Sequence, residues 1–531
     1  MKLKNICLCL LSVLALSSCF KDEGNYTYLT DHAPVFDFPD PNHLYCYEGK
    51  TTVFEGRFHF TTDDSLELMA NLSYEWKLNG KVLCTEKDFN AHTDTVMKIL
   101  GMDIVPANFV SGTYEVINNK TGIRYLAKVL YNFRPDFGKG NWMILSRNGA
   151  NARLSYQRLE QKNQGGKIDS LYHNYVGIYK ERNNGEEIAG SPRMLMDHKA
   201  PEISSFCGAT LVVTDQEAVE VSNESIRKMK DLKEEFADGT PAGFSVRDAF
   251  YTEQYTLLAM SDGKLYRREM SENYLGGKFI SSPYVVDQKG YEADFFANGQ
   301  ISTWVTLRLC YDRKNHRVMM VTQKNLPKAT VLPLVASGTG HTVTPWAMDE
   351  DTEVLAISEI GSENSDYGGN GACYCMIYNQ GGKTYIAHFF VDNRPPTYYG
   401  RVVNNAYMKL EQSPVTLTKE NIIRMTSTGK TYCKGFEDYI LYSSGNEIRY
   451  IRRAGLEDGC LVQLNNKVTA FRFAIATASH EELAVGMANG DFVRVNVKNK
   501  AAAYVIEKSR FNVGGEIVDV SHTGGRILNE E

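Results

Sequence analysis

The chain has no concentrated basic patch, and its formal charge is −6. That excludes the counterion-releasing grip by which proteins hold phosphate backbones, so nucleic acid is not an expected partner. No apolar run reaches the ~20 residues needed to cross a hydrocarbon core. His-Glu-x-x-His, Gly-x-Ser-x-Gly and the phosphate-cradling Gly-x-x-x-x-Gly-Lys-Ser/Thr are all missing, and the 11 histidines are scattered with no pair at metal-ligand spacing. Ser337-Gly338-Thr339-Gly340-His341 is glycine-rich but lacks the lysine and helix start of a phosphate loop, so it reads as a flexible turn. Two acidic stretches, Asp37-Phe38-Pro39-Asp40-Pro41-Asn42 and Asp349-Glu350-Asp351, lack the glycine and distal glutamate of a calcium loop. They read as solvated loops. No cofactor is implied and no catalytic residue is named, because the spacing of a carboxylate pair is a property of space rather than of sequence.

What is present begins at the N-terminus. Lys2 and Lys4 precede a short apolar run, Ile6 to Leu16, followed by Leu16-Ser17-Ser18-Cys19. This is the charge, apolar core and small-residue cleavage site of a secretory signal over residues 1–18. Cysteine at the cleavage position resembles the bacterial lipobox, which implies cleavage before Cys19 and acylation of its thiol and new amine. At ~0.8 kcal/mol per buried methylene, two or more acyl chains anchor a protein stably. Residues 19–34 then form a lipidated tether. Within it, Phe20-Lys21-Asp22-Glu23-Gly24 resembles the surface-export signal of lipoproteins in Gram-negative bacteria with Sus-like (starch-utilisation-type) nutrient systems. Through Lys21, Asp22 and Glu23 the resemblance implies a place on the outer face of the outer membrane.

The chain has 11 cysteines. Cys7 and Cys9 leave with the signal and Cys19 carries lipid, so Cys46, Cys84, Cys207, Cys310, Cys373, Cys375, Cys433 and Cys460 remain. An even number in an oxidising compartment permits disulfides, but the density is low for so long a chain. Cys310, Cys373 and Cys375 lie in apolar, strand-like runs and read as small buried hydrophobes. Cys46 with Cys84 is the one pair to test for a bridge. Cys373-Tyr374-Cys375 lacks the spacer and second ligand pair of a zinc site.

Residues 35–135 alternate short apolar runs with polar turns and show no helical period. Tyr74, Trp76 and Leu78 share one face at period two, while Glu75 and Lys77 share the other, as in a half-buried strand. Asn79-Gly80 supplies the positive φ angles of a tight hairpin. Gly112-Thr113-Tyr114-Glu115-Val116 resembles a late strand of immunoglobulin-like sandwiches. Together with Cys19-Phe20-Lys21-Asp22-Glu23-Gly24-Asn25-Tyr26 and Tyr74-Glu75-Trp76, it is similar to the PKD-like (polycystic-kidney-disease-type) lipoproteins associated with Sus-like transport. The likeness continues into Gly140-Asn141-Trp142-Met143-Ile144-Leu145-Ser146. Trp76-Lys77-Leu78-Asn79-Gly80 stands where true PKD repeats carry Trp-Asp-Phe-Gly-Asp-Gly. The resemblance implies a β-sandwich.

From residue 138 to 531 the pattern changes to recurring hairpins. The segments around Gly263, Gly445 and Gly490 superimpose: an apolar strand, a glycine turn, an apolar residue three positions on and an arginine four positions on (Arg267, Arg449, Arg494). The glycines are 182 and then 45 residues apart, and 182 is close to four repeats of 45, the length of a propeller blade. Four further turns, at Asn148-Gly149, Asp215-Gln216, Asn315 and Gly381-Gly382, bring the total to seven. Many short hairpins leave unpaired edges unless they are wrapped into a ring. The expected fold is therefore all-β: a sandwich followed by a β-propeller of about seven blades. One helix is expected, capped at Ser222-Asn223-Glu224-Ser225 and carrying Ile226, Met229, Leu232 and Phe236 at three- to four-residue intervals.

The chain holds 31 tyrosines, and sugar rings stack on exposed aromatics. Trp346, Tyr367, Tyr398 and Tyr399 lie in polar, irregular stretches suited to that role. The resulting expectation is a non-catalytic outer-membrane lipoprotein that captures polysaccharide or peptide beside Sus-like transporter subunits. The alternatives are a propeller-based glycoside hydrolase or lyase, and a protein-docking scaffold.

Overall fold

The computed structural model describes residues 32–38, 41–62, 65–102, 109–135, 137–138, 140–164, 167–198, 208–251, 255–269, 278–298, 307–322, 330–361, 371–392, 400–425, 439–474 and 482–523. The expected signal, Cys19 and the stretch Lys21-Asp22-Glu23 lie outside them. The described chain forms two compact units. Residues up to 132, apart from 47–49, make the first; residues 47–49 and those from 133 onward make the second.

The first unit is built on a five-stranded antiparallel sheet whose spatial order is Asn42–Tyr47, Arg124–Arg134, Val110–Asn118, Leu72–Leu78, Lys81–Cys84. Two short ladders supply its second layer: Val35–Phe36 with Phe58–His59, and Thr51–Phe54 with Phe89–His92. Trp76 is fully buried between Tyr114 and Phe54, at ring separations of 4.4 and 5.7 Å. The opposite face of the same strand carries Lys77, paired with Glu75 at 2.7 Å and Glu115 at 2.9 Å. The period-two reading of this strand holds. So does the hairpin, where Asn79 and Gly80 take φ of 46° and 77°.

The candidate Cys46–Cys84 bridge does not form; both thiols are free. Cys46 lies on one edge strand of the sheet and Cys84 on the other, with three strands between them. Four inter-strand steps of about 4.8 Å separate them, far beyond the Cα spacing of about 4.4–6.8 Å that a disulfide spans.

In the second unit the described strands form seven sheets that follow one another around a ring, all antiparallel except for one parallel pair, Val335–Ser337 with Arg401–Val403, in the fifth. Blade 1 pairs Ile517–His522, from the end of the described chain, with Trp142–Asn148, Asn151–Gln164 and Lys167–Tyr175. Blades 2 to 7 then begin with Pro192–His198, Val246–Tyr251, Ala293–Phe296, Glu353–Gly361, Ile423–Met425 and Val468–Phe473. Seven apolar clusters prove the closure, one at each contact between neighbouring blades. They run from Leu145 with Val212 (blades 1 and 2) to Trp142 and Ile144 with Ala484 and Phe492 (blades 1 and 7). The remaining five join blades 2–3, 3–4, 4–5, 5–6 and 6–7 in order. The second unit is a seven-bladed β-propeller.

Alternate residues of the second strands serve opposite neighbours. Leu258 and Met260 pack towards blade 2, while Leu257 and Ala259 pack towards blade 4. A strand buried on both faces reads as a continuous apolar run. Cys310, Cys373 and Cys375 occupy such positions, and burial pushes the Cys375 thiol up to about 12.

Two expectations fail here. The segment expected to be helical is the strand Lys228–Asp231, the outer strand of blade 2, followed by a 3₁₀ turn at Leu232–Glu235. The capping chemistry is real but serves a turn: Ser222 Oγ accepts from the Glu224 and Ser225 N–H groups, and Ile226 takes φ of 60°. Ile226, Leu232 and Phe236 are buried, yet they serve two different blade contacts rather than one helix face. The second failure is the repeat arithmetic. Gly263, Gly445 and Gly490 lie in blades 3, 6 and 7. The 182-residue interval thus spans three blades of about 61 residues, not four of 45, because blades 4 and 5 carry long connections.

Candidate functional site

The first strand of every blade faces the ring axis, where a cavity of about 300 Å³ is lined from all seven blades. Its charged lining is Arg193, Asp248, Arg424, Arg472 and Asp519, from blades 2, 3, 6, 7 and 1. Three guanidiniums face two carboxylates, so the walls carry one excess positive charge.

Both carboxylates are committed to the scaffold. Asp519 accepts the Leu195 N–H at 2.9 Å and is held bidentately by Arg472, at 2.6 Å to Oδ2 and 3.1 Å to Oδ1. Arg472 also donates to the Leu195 carbonyl at 3.1 Å. This pair ties blades 1, 2 and 7 together at the axis. Asp248 accepts the Phe296 N–H at 2.7 Å and the Ala249 N–H at 2.8 Å, joining blades 3 and 4. Burial pushes its carboxyl up to about 6 against those bonds. Asp248 is nonetheless only partly buried, because it lies on the cavity wall. Arg193 is spent on Ser245 Oγ and the Val246 carbonyl, both at 2.9 Å.

Arg424 differs. Its one hydrogen bond among the described residues is to the neighbouring Ile423 carbonyl, at 3.1 Å, and it has no ion pair there. Burial and the nearby Arg472 charge push it down to about 10, while Asp519, already claimed by Arg472, opposes that shift. An unpaired guanidinium in a low-dielectric cavity is a standing cost that an anion would relieve.

The elevated carboxyl of Asp248 gives a pH prediction. The folded state holds this proton more tightly than the unfolded state, so the contribution is full below about pH 4 and is lost as pH rises through about 6. At about 1.4 kcal/mol per pK unit, the loss is on the order of 2–3 kcal/mol. Denaturant unfolding from pH 4 to 7 should show this slope in the wild type, and Asp248→Asn should flatten it. Parallel curves for the two proteins would refute the assignment.

Of the residues singled out from sequence, Cys19, Lys21, Asp22, Glu23, Tyr367, Tyr398 and Tyr399 fall outside the described residues. Trp346 is half-buried, packs against the cluster between blades 4 and 5, and meets His341 edge-on at 5.0 Å. It does not line the axial cavity. Sequence reasoning missed the axial residues, which are separated by tens to hundreds of positions and share no motif. Among the described residues no group of three or more His, Cys, Asp or Glu side chains is placed to hold a metal.

Comparison with known proteins adds the following. A family model described as "PKD-like family" matches residues 19–192. No curated protein matches the sequence. Similar solved structures include a quinonprotein alcohol dehydrogenase-like protein from Bacteroides thetaiotaomicron, 12% identical, covering 93% of this chain and 97% of that one at a TM-score of 0.36. A protein from Lactobacillus plantarum is 10% identical, covering 72% and 98% at a TM-score of 0.41. The Neurospora crassa Pan2 WD40 domain is 10% identical, covering 60% and 78% at 0.34. At such scores the architecture rests on this chain's own ladders and inter-blade clusters.

Proposed function

We propose that this protein is a non-catalytic, lipid-anchored capture protein of the outer-membrane surface. Its propeller takes an anionic group of a polysaccharide or peptide on its axis, beside Sus-like transporter subunits. The observation that carries the reading is Arg424: a guanidinium without an acidic partner among the described residues, in a cavity to which all seven blades contribute. The axial carboxylates favour binding over hydrolysis, since each already accepts backbone N–H groups and Asp519 is also locked by Arg472. The address rests on the lipobox-like Cys19 and on Lys21-Asp22-Glu23. A half-exposed Trp346 remains available as a stacking platform on the propeller.

The test is calorimetry of the mature protein against neutral and acidic polysaccharides and peptides, with product release followed in parallel. Heat with acidic ligands and no products is expected. Arg424→Met should weaken that binding at least tenfold, since a hydrogen bond to a charged group contributes about 1.5–3 kcal/mol. Products would move the assignment to a propeller-based hydrolase or lyase, and silence with every ligand to a docking scaffold. In the same preparation Cys19→Ala should move from the membrane to the soluble fraction. Its staying with the membrane would overturn the anchor.

A further inference from the structure

A second cavity, of about 320 Å³, lies between blades 5 and 6, away from the axis. It combines three features. Arg453, in the turn after the third strand of blade 6, is 9% exposed, and its Nε and Nη2 have no partner among the described residues. His388, on the third strand of blade 5, has an unpartnered Nδ1. Glu411 Oε1 pairs with Lys409 at 2.6 Å, while its buried Oε2 has no partner among the described residues. All four side chains line this one cavity. The ladder sets Lys409 directly opposite His388 and Glu411 opposite Ile386. Burial and the Arg453 and Lys409 charges push the His388 imidazole down to about 4, so it is neutral at ordinary pH and offers one donor and one acceptor nitrogen.

Buried polar groups are nearly always satisfied. Three side chains that line this one cavity carry buried atoms without a partner among the described residues, and those atoms specify what would satisfy them. The Nε/Nη2 edge of a guanidinium is a parallel donor pair that matches the two oxygens of a carboxylate. Glu411 Oε2 is an acceptor and needs a hydroxyl. The same carboxylate charge disfavours a phosphate dianion. The volume sits at the low end of the range for small-molecule sites, about 300–1,000 Å³, which fits one sugar-sized ligand. Tyr407, 38% exposed, supplies an aromatic ring to the lining. We infer that this inter-blade cavity is a binding site for a hydroxylated carboxylate of monosaccharide size, a uronic acid, with Arg453 holding the carboxylate and Glu411 a ring hydroxyl. This site is independent of the axial one.

The experiment is calorimetry of the full mature chain with D-glucuronate, with D-glucose (no carboxylate) and with acetate (no hydroxyls). Glucuronate is expected to bind at least tenfold more tightly than either. Arg453→Met should abolish that preference without lowering the thermal midpoint, because it removes a buried cation that has no partner among the described residues. Arg453→Lys keeps a charge but loses the parallel donor pair, and should weaken glucuronate at least tenfold. It decides the matter if the methionine variant fails to fold. Arg453 lines this cavity and not the axial one, so loss of the glucuronate preference in the Arg453 variants separates this site from the axis. No heat with glucuronate, as from a cavity filled by water alone, would overturn the inference. So would equal affinity in wild type and Arg453→Lys, or equal affinities for glucuronate and acetate.

Discussion

Replacing Glu220 by alanine is expected to destabilise the propeller by about 3–5 kcal/mol, the cost of stranding one member of a buried ion pair. Glu220, on the third strand of blade 2, and Arg268, on the third strand of blade 3, are both completely buried. The guanidinium of Arg268 pairs with both Glu220 oxygens and reaches Thr256 Oγ1 at 3.3 Å. The Tyr251 hydroxyl donates to Glu220 Oε1 at 2.7 Å. Burial pushes Arg268 down, but the Glu220 charge and hydrogen bond, together with Tyr251 and Glu235, outweigh it and hold the guanidinium above its ordinary value. Alanine removes that charge and leaves the cation over the Phe279 ring, 5.0 Å away, with the Thr256 and Tyr251 hydroxyls beside it and the Glu235 charge farther off. The double variant Glu220→Leu with Arg268→Met should recover most of the loss, since apolar replacement of a whole buried pair is often neutral. Urea unfolding of the three proteins is the measurement. A loss under 1 kcal/mol in Glu220→Ala would refute the account.

The same contact shows how far the ring was legible in the chain. The seven turns singled out from composition, at Asn148-Gly149, Asp215-Gln216, Gly263, Asn315, Gly381-Gly382, Gly445 and Gly490, fall one per blade. Each joins the second and third strands. A tight hairpin is local chemistry, so short-range sequence carries it. The arginine four positions after three of these glycines is not one repeated interaction. Arg267 lies over the Tyr255 ring, Arg449 pairs with Glu447 and Asp458, and Arg494 bonds Gln157 of blade 1. What the arginine does depends on the neighbouring blade, and no local pattern records that.

Sites made by ring closure are harder still to read. Arg424, Arg472 and Asp519 are ordinary charged residues within short strands, and nothing nearby distinguishes them from surface charges. They meet only because each blade contributes its first strand to the axis. Arg453 is equally silent in sequence: it follows Arg452, the exposed last residue of the preceding strand, and only blade packing separates their roles. The misassigned helix has a related cause. Ile226, Leu232 and Phe236 have helical spacing by coincidence, because both faces of that segment are buried by different blades.

A chain ending at residue 512 is expected not to form a cooperative propeller at all. The strand Ile517–His522 is the inner strand of blade 1, paired with Trp142–Asn148 from the other end of the propeller sequence. Without it, Ile517 and Val520 vanish from the cluster that joins blades 7 and 1. Arg472 loses its carboxylate, and the Leu195 N–H loses its acceptor. An open ring would also expose a long strand edge, the template for aggregation. Closure is tight enough to be tested by a single methyl group. A Cβ at Gly486 would come within 2.3 Å of Ile517 Cγ2, so Gly486→Ala should cost about 1–3 kcal/mol through overpacking. Ile517→Ala in the same chain should relieve that clash, giving a favourable coupling in a double-mutant cycle. Additive losses from the two substitutions, or a sharp native-like unfolding transition in the truncated chain, would mean that the ring is held by something other than this last strand. The pairing joins residues some 370 positions apart, and loop-closure entropy grows only as the logarithm of length. The long connections of blades 4 and 5 therefore cost the closure little.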